Sequence, residues 1–193
     1  MTMMAIRLRY LTLLLFLLHL NASAADRLVY GVQLSYGLEN AIPRDISHIN
    51  MVYVQPQIGV RLWDSSQSRL PVQRFELLSE GIFGGSPHPG GHMVGDALLF
   101  RFVFKPIRRS RPILDFASGP LHTTINEHAS ELGGHVQFLS QGGVGIERPI
   151  RPGLGYLVEW RYFHMSNAGL TQPNHGFNGN ILSLGVRWSQ RGG

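Results

Sequence analysis

From Leu28 onward the chain alternates. Leu28, Tyr30, Val32, Leu34 and Tyr36 take every second place, against Val29, Gly31, Gln33 and Ser35. Val52, Val54, Pro56, Ile58, Val60 and Leu62 do the same against Tyr53, Gln55, Gln57, Gly59 and Arg61. A third segment sets Phe75, Leu77 and Phe83 opposite Arg74, Glu76 and Glu80, and a fourth sets Leu98, Phe100, Phe102 and Phe104 opposite Ala97, Arg101 and Lys105. Ile113 to Ser118 is a shorter fifth; Val136, Phe138, Val144 and Ile146 mark a sixth; Leu154–Ser166 and Gly179–Trp188 complete eight. Side chains of a strand point alternately to its two faces, so each segment reads as a strand with one apolar and one polar face. No long segment after residue 25 has a period of 3.6. The fold class is all-β.

Alternation alone does not say which face is inside. A soluble barrel or sandwich buries the apolar face; a membrane barrel turns it outward and keeps the polar face in its lumen. Three features favour the membrane. The strand count is even, and eight is the smallest usual number. Several strands run about ten residues, the length of a tilted membrane-spanning strand. Tyr30, Tyr36, Phe104, Tyr162 and Trp188 lie toward strand ends on the apolar face, as interfacial girdles do. The expectation is an eight-stranded antiparallel transmembrane β-barrel. Connections at 38–49, 84–94, 119–133 and 167–177 are longer on the whole than those at 63–72, 105–111 and 149–153, so the first set is outer and both termini face the periplasm. The seventh strand then ends at the cell surface. Eight strands leave no open channel. Glu76, Glu80, Asp115 and Glu159 with Arg61, Arg101, Arg161 and Arg187 should form an ion-pair network in the lumen.

The first 25 residues carry a different pattern. Arg7 and Arg9 precede the apolar run Leu11–Leu20, and Ala22-Ser23-Ala24 offers a cleavage site, which together read as a secretory signal. The barrel domain is then 26–193, in the outer membrane of a Gram-negative envelope. The 193 residues include no cysteine, so the fold holds without disulfides. The formal charge is +5 and Lys105 is the sole lysine. The basic residues are spread along an exported chain, which argues against nucleic acid.

Candidate chemistry lies at the end of the seventh strand. His164 and Ser166 are two residues apart and share a face with Tyr156, Val158, Trp160 and Tyr162. A serine hydroxyl needs an adjacent base, and that base needs a third group to orient it. Histidine is the natural base. Glu159 has the opposite parity, so the third group should come from strand eight, where Asn178 and Asn180 point outward. Pairing across the loop is expected to set Ser166 near Asn178 and His164 near Asn180.

His164-Met-Ser166-Asn167-Ala168-Gly169, followed by Gln172-Pro173-Asn174-His-Gly176, resembles the signature of the lipid A 3-O-deacylase (PagL) family. The resemblance implies an outer-membrane barrel esterase that removes the acyl chain at position 3 of lipid A, with no cofactor and no metal. It implies His164 as general base, Ser166 as nucleophile, and Asn174 with the Gly169 backbone N–H as oxyanion hole. Asn178 falls where the family carries a glutamate. Its amide oxygen would fix the histidine tautomer without the carboxylate's charge. The implied partners are lipopolysaccharide lipid A and outer-membrane lipids, with a homodimer left open. Arginines in or near the outer loops would meet lipid A phosphates. Two other readings compete: a non-catalytic small barrel serving adhesion or envelope stability, and a soluble lipocalin-like binder with the faces exchanged. The remaining histidines fit no zinc spacing. Gly84-Gly85-Ser-Pro-His-Pro-Gly-Gly91 lacks the lysine and hydroxyl of a phosphate loop and reads as a flexible loop.

Overall fold

The computed structural model describes residues 27–40, 47–65 and 69–189. The leader expected at 1–25 lies outside them. Eight antiparallel strands, β1 (Leu28–Glu39), β2 (Asn50–Asp64), β3 (Val72–His88), β4 (His92–Phe104), β5 (Arg111–Thr123), β6 (Val136–Arg151), β7 (Leu154–Ser166) and β8 (Phe177–Ser189), pair in sequence order. β8 returns to β1, and the barrel is closed. A 3₁₀ turn, Ile125–Glu127, sits in the loop between β5 and β6.

Parity is decided as the membrane reading requires. Leu34, Ile58, Phe83, Leu98, Phe116, Val144, Trp160, Leu182 and Leu184 are exposed on the outer face, while Glu76, Glu80, Arg101, Asp115, Glu159 and Arg161 are buried in the lumen. A soluble binder would need the opposite arrangement. Tyr30 and Trp188 stack at 5.9 Å near the end where the chain enters and leaves the barrel.

Two expectations about segment length need correction. β5 is a full strand rather than a short one. The stretch 84–88 is strand, and only 89–91 turn the chain between β3 and β4. Its glycines answer to close packing, not flexibility. A Cβ on Gly84 would lie 2.2 Å from the Val52 carbonyl oxygen and 2.4 Å from Tyr53 Cβ. Residues 47–49, 124–135 and 167–176 lie at that same end of the barrel, and 105–110 and 152–153 cross the opposite end.

The lumen is layered. Beneath the long loops lies an apolar plug that includes Ile49, Met51, Ile82, Phe163, Met165, Phe177 and Ile181. Only the charged lumen residues were named from the sequence, so the plug adds to that expectation. It fills the barrel interior at the long-loop end. Mid-barrel, Arg161 reaches Glu80 at 2.7 Å, Asp115 at 3.0 Å and Glu159 at 2.6 Å. Arg101 reaches Asp115 at 2.7 Å and Glu159 at 2.5 Å. Gln55 and Gln57 donate to the Glu80 carboxylate at 2.7 and 2.6 Å. Toward the short-turn end, Arg74 and Arg187 bridge Glu76 and Glu147. Arg61 pairs with Asp64 at the mouth, where both are part-exposed.

Removing one partner of a buried ion pair strands the other charges. Arg161→Ala is expected to lower the unfolding free energy by about 3–5 kcal/mol. Arg61→Ala, in its solvated pair, should cost less than about 1 kcal/mol. Urea unfolding in detergent micelles, followed by the gel shift between folded and unfolded barrel, measures both.

Candidate active site

The site begins with anchors on the hidden face. Phe163 and Met165 are fully buried in the apolar plug, as is Phe177 across the sheet. Phe163 and Phe177 meet edge-to-face, ring centroids 5.4 Å apart. Each such side chain contributes about 1.5–3 kcal/mol by leaving water. Because neighbours alternate, burying residues 163, 165 and 177 turns His164, Ser166 and Asn178 outward.

There the three side chains form one chain of hydrogen bonds. His164 Nε2 lies 3.1 Å from Ser166 Oγ. His164 Nδ1 lies 2.8 Å from Asn178 Oδ1. An amide oxygen only accepts, so Nδ1 carries the proton and Nε2 is left to accept from the serine hydroxyl. The register differs from the expected one. His164 is opposite Asn178, and Tyr162, not His164, is opposite Asn180. The last ladder pair is Met165 with Phe177, so β8 is slid by two residues from the expected register. A shift of two keeps every side chain on its face, so Asn178 remains the outward partner.

The loop that follows is held by Asn167, which is buried. Its backbone N–H donates to Asn174 Oδ1 at 3.0 Å, and its Oδ1 accepts the Gly169 N–H at 2.9 Å. Its Nδ2 is directed at the Gly133 and Thr171 carbonyl oxygens, at 2.7 and 2.8 Å. Asn167 through Leu170 is a tight turn closed by Leu170 N–H to Asn167 O at 3.1 Å, with Ala168 at φ 53° and Gly169 at φ 82°. Positive φ at both central positions is the primed turn geometry that favours glycine. The two donors expected at the oxyanion position therefore differ. Asn174 presents its Nδ2 with no partner among the described residues, whereas the Gly169 N–H is engaged by Asn167.

Glu131, in the loop between β5 and β6, fastens the neighbouring loops. Its carboxylate accepts from Ser47 N–H at 2.7 Å and Ser47 Oγ at 2.5 Å. Its carbonyl accepts from the N–H groups of His175 and Gly176, each at 3.2 Å. Asn167 stood within the quoted motif but without a positioning role, and nothing in the sequence linked Glu131 to Gly176. Charge is also distributed differently from expectation. Among the described residues, no arginine or lysine lies in the long outer loops; Arg44 is outside them. The cations collect instead at the short-turn end, including Arg61, Arg74, Arg111, Arg151 and Arg187 around a cavity of about 470 Å³. Among the described residues, no group of three or more His, Cys, Asp or Glu is arranged to hold a metal ion.

A model of the lipid A 3-O-deacylase (PagL) family matches residues 52–187. The chain belongs to this family. PagL members are ester hydrolases of the outer membrane, and the barrel described above is an outer-membrane fold. Among solved structures, the outer membrane enzyme PagL is 21% identical, with a TM-score of 0.59 over 80% of this chain and 97% of that one. Neisserial surface protein A is 12% identical, with a TM-score of 0.53 over 84% and 96%. At those identities the likeness speaks for the fold alone. A comparison with curated proteins found no match.

Gly176 shows how tightly this PagL relative holds its outward triad. It sits at φ 63°, and a Cβ there would lie 2.7 Å from the Met165 carbonyl oxygen, 2.9 Å from Ser166 Cβ and 3.1 Å from His164 Cε1. Gly176→Ala is expected to displace the His164–Ser166 pair and cut ester hydrolysis by about 10²-fold, the cost of an ångström-scale misplacement. The barrel itself should remain folded by the gel-shift criterion. Full activity in a folded Gly176→Ala protein would refute this.

Proposed function

We propose that this chain hydrolyses the 3-linked acyl ester of lipid A by a serine mechanism in the outer leaflet. The observation that carries the reading is the Ser166–His164–Asn178 hydrogen-bond chain on the outer face, at the long-loop end, within a PagL family barrel. Ser166 Oγ attacks the ester carbonyl carbon while His164 Nε2 takes its proton. The carbonyl oxygen becomes an oxyanion, which the Asn174 Nδ2 group meets; Gly169 adds its N–H when that donor is shared with Asn167. Preorganised donors of this kind are often the largest catalytic contribution. The carbon–oxygen bond to the sugar then breaks, and His164 returns the proton to the leaving sugar oxygen. Water attacks the acyl-serine, with His164 again taking a proton. A free hydroxyacyl acid leaves, and Ser166 regains its hydrogen.

Asn178 orients the imidazole but offers no negative charge to the imidazolium that forms in each half-reaction. In serine proteases the acid-to-amide change costs about 10⁴ in rate. The amide is the native third member in papain-like enzymes, so a working but slower site is expected. The mature barrel is exported by the leader at 1–25 and inserted with its long loops outward. A non-catalytic barrel is the competing reading.

Mass spectrometry of lipid A from Gram-negative cells expressing the protein tests this. The native chain should remove one 3-hydroxyacyl group, and Ser166→Ala should lower the rate by at least about 10³-fold. Asn178→Asp keeps the length of the side chain that now reaches Nδ1. It is expected to speed deacylation by about tenfold or more, and more than the longer Asn178→Glu. Unchanged lipid A with the native chain and both acidic variants, all folded in the outer membrane, would favour the non-catalytic barrel.

A further inference from the structure

At the end of the barrel opposite the triad, the lumen opens into a cavity of about 470 Å³ whose charges do not balance. Arg61, Arg74, Arg111, Arg151 and Arg187 line it, and the acids of its lining are Asp64 and Glu147. Glu76, paired with Arg74 and Arg187, adds a third carboxylate beside it. Five guanidiniums against three carboxylates leave two positive charges over. A surplus of one sign within low-dielectric walls focuses the field and raises the local concentration of counter-ions.

The surplus sits at the mouth. Deeper in, Arg74 and Arg187 are committed to Glu76 and Glu147. Nearer the opening, Arg111 gives Nη1 to Glu147 at 2.9 Å, and Arg61 gives Nη1 to Asp64 at 3.2 Å. Arg151 is exposed and has no ion-pair partner among the described residues. Two buried donors of the lining also find no acceptor there, Arg61 Nε and Arg187 Nε. Arg187 is 4% exposed, so water has little access to it. A buried N–H without a partner is costly, and a ligand with several acceptor oxygens would answer both donors and charge.

We propose that this cavity binds a small soluble phosphate monoester, such as a sugar phosphate, with Arg151, Arg61 and Arg111 holding the phosphate oxygens. A phosphate monoester carries about 1.5 to 2 negative charges at neutral pH and three acceptor oxygens, which matches a surplus of two. A carboxylate carries one charge and two oxygens. Arginine meets phosphate with paired, charge-assisted hydrogen bonds. The volume is that of a small-molecule site rather than a single ion. Pro149, Ile150 and Leu154 at its edge give the organic part of the ligand apolar contact. On the proposed orientation the cavity opens to the periplasm. The inference does not depend on the ester chemistry at the other end.

Titration calorimetry of the purified barrel in uncharged micelles tests this with inorganic phosphate, glucose 6-phosphate and, at equal ionic strength, potassium chloride. Both phosphates should bind and raise the unfolding temperature, glucose 6-phosphate the more tightly, and chloride should do neither. Arg151→Gln removes no ion pair, so the barrel should stay folded by the gel shift while glucose 6-phosphate binds about tenfold more weakly or worse, the loss of a hydrogen bond to a charged group. Arg148→Gln should change nothing, since Arg148 faces outward opposite Tyr156 at the same end. Equal responses to phosphate and chloride, or unchanged binding in folded Arg151→Gln, would overturn the site. A response to phosphatidic acid added to the micelles, with none to either soluble phosphate, would overturn the soluble ligand in favour of a lipid headgroup.

Discussion

A backbone in hydrocarbon finds no water, so each N–H and C=O within the membrane must be bonded to the chain itself. Closure of β8 onto β1 meets that requirement for a sheet and removes its edges. Closure then divides every strand between lipid and a narrow lumen. The charges on the lumen side are too confined to be hydrated, so they answer one another: two guanidiniums, Arg101 and Arg161, are set among Glu80, Asp115 and Glu159. The same division presents His164 and Ser166 to the membrane, since Phe163 and Met165 occupy the inward places. The site is thus a consequence of parity, with the apolar plug as its footing.

Parity alone does not supply precision. The outward residues stand at the rim, where strands end and loops begin, and catalytic geometry tolerates little play. Two buried polar side chains reduce that play. Asn167 ties its own turn to Gly133 in the neighbouring loop, and Glu131 joins Ser47 to the backbone at His175 and Gly176. Three loops from distant parts of the chain are thereby fastened around a glycine that admits no side chain. The loops at this end act as a clamp as much as a cover.

What the sequence made legible follows from the range of each cause. Alternation is local, so strands, lumen residues and the outward facing of residues 164, 166 and 178 could all be read. Register depends on how many residues the turn consumes, and there the reading was two residues off, an error that preserved faces. Glycines 84 and 85 look like a loop by composition; only the approach of β2, with Tyr53 packed against Gly84, makes them strand. The apolar plug was missed because its members alternate like any lumen residues and are separated only by depth. Arg108, Arg109 and Arg111 could be read in a short turn, but the meeting of Arg61, Arg74, Arg151 and Arg187 with Arg111 at that end could not. Cations scattered along a chain come together whenever turns of the same parity share one end of a barrel.

Asn178 is where magnitudes decide between explanations. A carboxylate near the membrane rim costs at most about 1 kcal/mol, because the penalty for a lipid-facing charge falls steeply toward the interface. Loss of the carboxylate's charge beside a histidine base costs about 10⁴ in rate in serine proteases, or about 5.5 kcal/mol. Burial in lipid is therefore too small a penalty to account for an amide at this position. On the proposed mechanism, the two tasks of a third triad member also separate here. Tautomer selection is geometric and survives in the 2.8 Å contact with Nδ1. Charge stabilisation does not survive. On the proposed mechanism, the amide leaves the membrane stability of the barrel nearly untouched and acts on the speed of the reaction.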